Sequence, residues 1–151
     1  MSFEIASLCA AIDKMMQKHL PPAEVRRHDA ASEPPDHLLK IFADMGLFQL
    51  VLPEQAGGLS GSWQHLSLIQ ERLGYHATMA ALLYNRVACF GMMTLFTSAT
   101  ERQSAIWLPK LLAGEGTFAL GLSEAGAGSD AGALQTRAEK AGEGWKITGR
   151  K

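Results

Sequence analysis

Residues 120–130 read LGLSEAGAGSD, and this stretch stands where one kind of local sequence grammar gives way to another. Before it the chain is written in helical periods. After it come short alternating runs separated by glycine turns. Gly126 and Gly128 allow a backbone to approach a ligand closely, because no Cβ intervenes. Ser123 and Ser129 add hydroxyls, and successive N–H groups in such a turn can hold an anionic oxygen, so a phosphate or pyrophosphate is a reasonable ligand. With Gly132 the spacing is G-x-G-x-x-x-G, and the loop is expected to join two strands. That excludes the nicotinamide dinucleotide fingerprint, which joins a strand to a helix, and no lysine follows in the place a P-loop requires. On composition alone a glycine-rich turn is more often only a turn.

Upstream, the helical grammar predicts four or five helices. Residues 3–20 carry Ile5, Leu8, Ile12, Met15 and Met16 near helical spacing, and Pro21 and Pro22 stop the run. Residues 23–33, AEVRRHDAASE, read as a polar link. Pro34 and Pro35 precede a helix over 36–45, which Gly46 caps. The apolar run 47–52 leads into the loop PEQAGGLSGS. Ser62 caps a helix through about Leu73, with Trp63, Leu66, Ile69 and Leu73 on one side. Residues 79–97 form a buried helix. Thr100 and Gln103 have capping-box spacing and open another, in which Pro109 predicts a kink or break and Gly114 the end.

Downstream, TFALGL at 117–122 is a strand candidate. Residues 133–141 and 145–151 read as a hairpin about the turn AGEG, with Thr136, Ala138, Trp145 and Ile147 supplying strand faces. The expected architecture is mainly α with a small β portion: an all-helical domain over 1–115 and the start of a β-domain over 116–151. Three short strands make a poor independent domain, which predicts that the chain is part of a longer protein.

Composition narrows the function classes. At 47% apolar and 19% charged residues the chain can bury a real core, and a net charge of −1 offers no field for nucleic acid or an anionic membrane. Residues 79–99 are long enough to span a bilayer, but Asn85 and Arg86 in the middle favour a core helix over a membrane span. The amino terminus lacks a basic secretory start, and Glu4 and Asp13 argue against a transit peptide. Cys9 and Cys89 lie too far apart for a zinc or disulfide framework. A reducing cytoplasm suits both observations. His19, His28, His37, His65 and His76 show no metal-ligand spacing, so no metal site is expected.

Three passages, in order, resemble the acyl-CoA dehydrogenase family. Leu52-Pro53-Glu54 with Gly57-Gly58 resembles its proline–acidic–glycine-glycine loop. Leu108-Pro109-Lys110-Leu111 with Gly114-Glu115 resembles its passage out of the helical domain. Leu122-Ser123-Glu124 with Gly126-Ala127-Gly128-Ser129-Asp130 resembles its flavin signature, with Ser123 in place of threonine and Ala125 in place of proline. Thr136, Ala138 and Gly149-x-Lys151 fit the passage that follows. The resemblance implies the family's helical bundle followed by the first strands of a truncated β-barrel domain, and an FAD enzyme that oxidises an acyl-CoA thioester to the 2,3-enoyl-CoA. It implies that Leu120, Leu122 and Ser123 border the flavin ring, that Gly128 and Ser129 approach the pyrophosphate, and that Ser129 also lies near the acyl-CoA. It further implies a homodimer or homotetramer and an electron acceptor that is a protein or oxygen. The family's next flavin motif and its carboxylate base fall beyond Lys151, so no catalytic residue is assigned. Glu54, Glu71 and Glu124 read as loop, helix-surface and turn carboxylates, and this chain alone is expected to be inactive. Two rivals stay open: a flavin monooxygenase or oxidase of the same fold, and a non-catalytic helical interaction remnant.

Overall fold

Helices dominate the computed structural model, which describes residues 5–50 and 52–151, the side chain of Ile5 aside. Phe3 in the first predicted helix and Val51 in the apolar run lie outside the described residues. The chain divides into two compact units, Met1–Ala119 and Leu120–Lys151. The first contains α1 (Ile5–His19), α2 (Pro22–Ala31), α3 (His37–Asp44), α4 (Trp63–His76), α5 (Thr78–Asn85), α6 (Met93–Ser98) and α7 (Glu101–Leu112). The second contains a two-stranded antiparallel sheet, β1 (Arg137–Ala141) and β2 (Gly144–Thr148).

The stripe expected on α1 is real, with Ile12, Met15 and Met16 buried. Asp13 on the same helix accepts from the Arg72 guanidinium and pairs with His76 Nε2 at 2.8 Å, tying α1 to α4. Arg72 and then His76 hold the Asp13 carboxyl down at about 2.

Residues 23–33 are not a link: most of them form α2. Its helical character comes from its ends and not from an apolar stripe. Pro21 is extended and Pro22 occupies the first turn, where a missing N–H costs nothing. At the other end Ser32 turns left-handed at φ 53° and its N–H closes on Asp29 O. His28 is buried, its Nδ1 3.1 Å from Glu33 O.

The core centres on three aromatic side chains without solvent exposure. Phe42 of α3 meets Phe48 edge-on at 6.1 Å and Tyr84 of α5 at 6.2 Å, and Phe48 stacks on Tyr84 at 5.8 Å. The Tyr84 hydroxyl donates to Leu47 O at 3.1 Å, and burial pushes its pKa up. The apolar run thus packs as turns against the bundle, with Leu47, Leu50 and Leu52 buried.

Ser62 caps α4 as expected, its N–H donating to His65 Nδ1 at 3.0 Å. Leu66, Ile69 and Leu73 face inward, but Trp63 is 61% exposed because it sits in the first turn, beyond the bundle's cover. The next helical span, Thr78–Ser98, is long and apolar enough to cross a bilayer by length and composition. Its Leu83, Tyr84, Val87 and Met92 are buried in the bundle core. It is also not one uniform helix: Arg86–Met92 form a π-helical segment between α5 and α6. Gly91 permits this packing, since a Cβ there would stand 2.8 Å from Leu111 Cδ1 of α7.

The Thr100–Gln103 capping box opens α7, with Gln103 N donating to Thr100 Oγ1 at 3.3 Å and Thr100 N to Gln103 Oε1 at 2.8 Å. Pro109 does not break the helix, which runs on to Leu112. Gly114 follows at φ 72°, and an added Cβ would lie 2.5 Å from Leu39 O. Gly114→Ala should therefore cost about 1–3 kcal/mol through left-handed strain alone, with the backbone clash adding to it. A urea titration would show the lower midpoint.

In the second unit the hairpin register pairs Ala138 with Ile147 and Lys140 with Trp145. Gly142 takes φ 59° at the first turn position, as a two-residue type II′ connection requires. Ala138, Trp145 and Ile147 share a face as expected, yet both faces of the hairpin are exposed. TFALGL is not a strand, because no described strand lies beside it to accept its hydrogen bonds. The glycine loop therefore does not join two strands. It follows an irregular segment and leads through a short 3₁₀ turn, Ala131–Ala133, into the hairpin.

Candidate functional site

The loop is closed by its own backbone. Glu124 N donates to Ala127 O at 2.9 Å and Ala127 N to Glu124 O at 3.1 Å, pinching residues 124–127 into a tight turn that buries Ala127. Asp130 Oδ1 then accepts from Gly132 N at 3.1 Å and starts the 3₁₀ turn.

The Glu124 side chain holds the turn to the hairpin. Its carboxylate accepts from Gln135 N at 2.7 Å and Thr136 N at 2.9 Å, and Lys151 Nζ sits 2.9 Å away. Lys151 Nζ also donates to Leu122 O at 2.7 Å, so a single ammonium grips the carboxylate and the backbone two residues before it. Gly149 makes room for this arrangement, since a Cβ there would fall 2.1 Å from Thr136 Oγ1. The Thr136 hydroxyl first, then the Gln135 amide, Lys151 and the Thr136 amide, bring the Glu124 carboxyl from 4.5 down to about 2. That hydroxyl is buried without a well-aligned hydrogen bond, so it acts on the carboxylate as a nearby dipole. The sequence marks Glu124 only as a turn carboxylate. The signal for its role lay in Lys151 and Gly149, 27 and 25 residues away in the chain, and only folding brings them together.

Leu120, Leu122, Ser123, Gly128 and Ser129, the residues expected to border a cofactor, lie on this one segment. Leu120 is 59% exposed and Leu122 43%. Ser123 and Ser129 are exposed, and among the described residues neither hydroxyl has a hydrogen-bond partner. A polar depression is lined by Glu124, Ala125, Gly126, Thr136 and Arg150, and it does not include Ser123, Gly128 or Ser129.

Gly126 and Gly128 are the informative positions. Neither has a positive φ, and a Cβ at either would meet nothing within 4 Å. Gly114 and Gly149, by contrast, are needed by their own chain. Among the described residues nothing requires glycine at 126 or 128, so both positions leave room for the close approach of a group from outside the chain. Such a surface fits a flat, partly apolar cofactor with an anionic linker: two leucines for ring contact, two free hydroxyls and a glycine backbone for oxygens. Among the described residues no cluster of three or more His, Cys, Asp or Glu could hold a metal, and Cys9 and Cys89 are free thiols.

Comparison with known proteins matches residues 4–115 to the family described as "Acyl-CoA dehydrogenase, N-terminal domain". The (2S)-methylsuccinyl-CoA dehydrogenase of Cereibacter sphaeroides is 33% identical over 124 residues, 78% of this chain and 21% of that protein. The probable acyl-CoA dehydrogenase YngJ of Bacillus subtilis is 30% identical over 100% of this chain and 40% of its own length. A crystal structure of an acyl-CoA dehydrogenase from Geobacillus kaustophilus aligns with a TM-score of 0.79 at 25% identity, covering 99% of this chain and 39% of that one. One from Bacillus anthracis, complexed with FAD, aligns at 0.82 and 24% identity, covering 99% and 26%, and shares the fold. The chain thus spans well under half the length of these relatives.

Proposed function

Because the chain belongs to the acyl-CoA dehydrogenase family, through that family's N-terminal domain, we propose that residues 120–130 form one wall of an FAD site in an oxidoreductase that oxidises an acyl-CoA thioester at its 2,3 carbons. The observation that carries this reading is the pair Gly126 and Gly128, with open space where a Cβ would stand, on a segment that also exposes Leu120, Leu122, Ser123 and Ser129. Leu120 and Leu122 would pack on the flavin ring. Ser123 would offer its hydroxyl or N–H to the ring's polar edge. Gly128 and Ser129 would meet the pyrophosphate, and Ser129 would also lie near the acyl-CoA. Bound flavin supplies the acceptor for a hydride. The chain's part is to orient and to exclude water. Residues 116–151 are then the start of a middle β-domain, and residues 1–115 the helical domain before it.

No proton abstraction is assigned to this chain. Glu124, an acid within the proposed wall, is held at about 2 by its partners, far too weak a base for an α-proton near neutrality. The base and the rest of the flavin contacts belong to the longer protein in this reading, the electron acceptor is a separate protein or oxygen, and the chain by itself is inactive. Exposed Phe96, Ile106 and Trp107 are surfaces for that remainder or for the other subunits of a homodimer or homotetramer.

Gly128→Val tests the wall. A side chain there meets no atom of its own chain, so the melting temperature should stay near wild type. Flavin affinity, read by fluorescence quenching, should fall by about tenfold or more if the backbone must approach the cofactor. An unchanged flavin affinity, or a complete protein that purifies and reconstitutes without flavin, would overturn the proposal.

A further inference from the structure

Lys151 makes two contacts, and only one of them is an ion pair. Its Nζ lies 2.9 Å from Glu124 Oε1 and donates to Leu122 O at 2.7 Å. A partly exposed ion pair is worth little by itself. The second contact reaches further. The lysine stem follows the backbone there, since a Cβ added at Gly121 would stand 4.0 Å from Lys151 Cγ. Leu122 C=O and Ser123 N–H are the two ends of one peptide group. That group is trans, so its C=O and N–H point in opposite directions. With Lys151 on the carbonyl side, the Ser123 N–H points away from it. Ser123 is exposed, and among the described residues its N–H has no acceptor. A cation on the oxygen of an amide draws electrons through the conjugated C–N bond. The N–H at the other end becomes a stronger donor.

On the reading that residues 120–130 line a flavin, we infer that Lys151 is a positioning residue that raises the reduction potential of that flavin. It acts through the Leu122–Ser123 peptide. Its ammonium fixes the peptide plane and strengthens the one N–H that faces the polar edge of the ring. A reduced ring carries more electron density at that edge than an oxidised one, so the strengthened donor favours the reduced form. A lysine that served only to clasp Glu124 would behave differently. Any change that broke the pair would then have the same effect, whichever partner was altered.

The test uses the complete protein as wild type, Lys151→Met, Lys151→Arg and Glu124→Gln. The flavin potential is measured by equilibration with reference dyes. The ¹³C shift of the Leu122 carbonyl is measured in flavin-free protein. Lys151→Met should lower the preference for reduced over oxidised flavin by about tenfold, a fall of about 30 mV for a two-electron couple. Lys151→Arg should restore most of it. Glu124→Gln removes the ion pair but leaves the ammonium on Leu122 O, and the potential should not fall. The Leu122 carbonyl should move upfield in Lys151→Met and stay in Glu124→Gln. Melting curves verify folding, and if Lys151→Met does not fold, Lys151→Gln, a donor without the charge, should lower the potential in its place. A potential indifferent to Lys151, an equal fall in Lys151→Met and Glu124→Gln, or an unmoved Leu122 carbonyl overturns the inference and leaves the flavin reading standing. A wild-type protein that never takes up flavin sinks both, and it is told apart because the Leu122 carbonyl still answers to Lys151→Met.

Discussion

Glu124→Ala should detach the glycine loop from the hairpin while the helical unit keeps its fold. The substitution takes the acceptor from two backbone N–H groups, Gln135 and Thr136, and the partner from Lys151. The part-buried Thr136 donor is the costlier of the two to strand, because the exposed Gln135 amide regains water more readily. Hydrogen exchange should show it locally, with protection of the Gln135 and Thr136 amides falling by about tenfold or more. Amides of α4 and α5 should be unaffected. Flavin retention should fall with loop order, since Leu122 and Ser123 directly precede Glu124. Acid gives an independent readout. The carboxyl is depressed from 4.5 to about 2 in the folded state, so its contribution is fully present above about 4.5 and is lost as pH falls through about 2. Wild type should lose hairpin protection over that window, and Glu124→Gln should show no such step. Equal protection in wild type and Glu124→Ala would mean that the clasp holds nothing.

Phe42→Ala should be the most damaging single change in the helical unit. Phe42 has no solvent exposure and joins α3 to Phe48 and to Tyr84 of α5. Removing the ring leaves a cavity between elements far apart in sequence, and buried Phe→Ala changes cost about 3–5 kcal/mol. That is a large share of the stability of a domain this size. Chemical denaturation followed by Trp fluorescence measures it. A loss below about 1 kcal/mol would mean that the α3–α5 junction repacks freely.

The sequence was most legible where local chemistry alone decides. The stop at Pro21–Pro22, the caps at Ser62 and Thr100, the end at Gly114 and the turn at Gly142 are each set by a few neighbouring residues, and each stands where the residues placed it. A periodic apolar stripe is not the only mark of a helix. α2 has few apolar residues, and its ends and the buried His28 hold it instead. TFALGL has strand composition, but a strand is defined by a partner, and none of the described residues supplies one.

The glycine loop shows the same division at the site. Its residue types, the open glycines with their flanking leucines and serines, were determined by sequence alone, as was the family likeness they carry. What only the tertiary structure decided is which of its residues hold the loop and which are left over. Glu124 is taken up by Gln135, Thr136 and Lys151, and Thr136 by its close approach to Gly149. Leu120, Leu122, Ser123 and Ser129 stay exposed, and Gly126 and Gly128 have open space where a Cβ would stand. The reason is physical. A side chain's chemistry belongs to the residue, but whether that chemistry is already spent depends on partners that come within 3 Å only when distant parts of the chain are folded together.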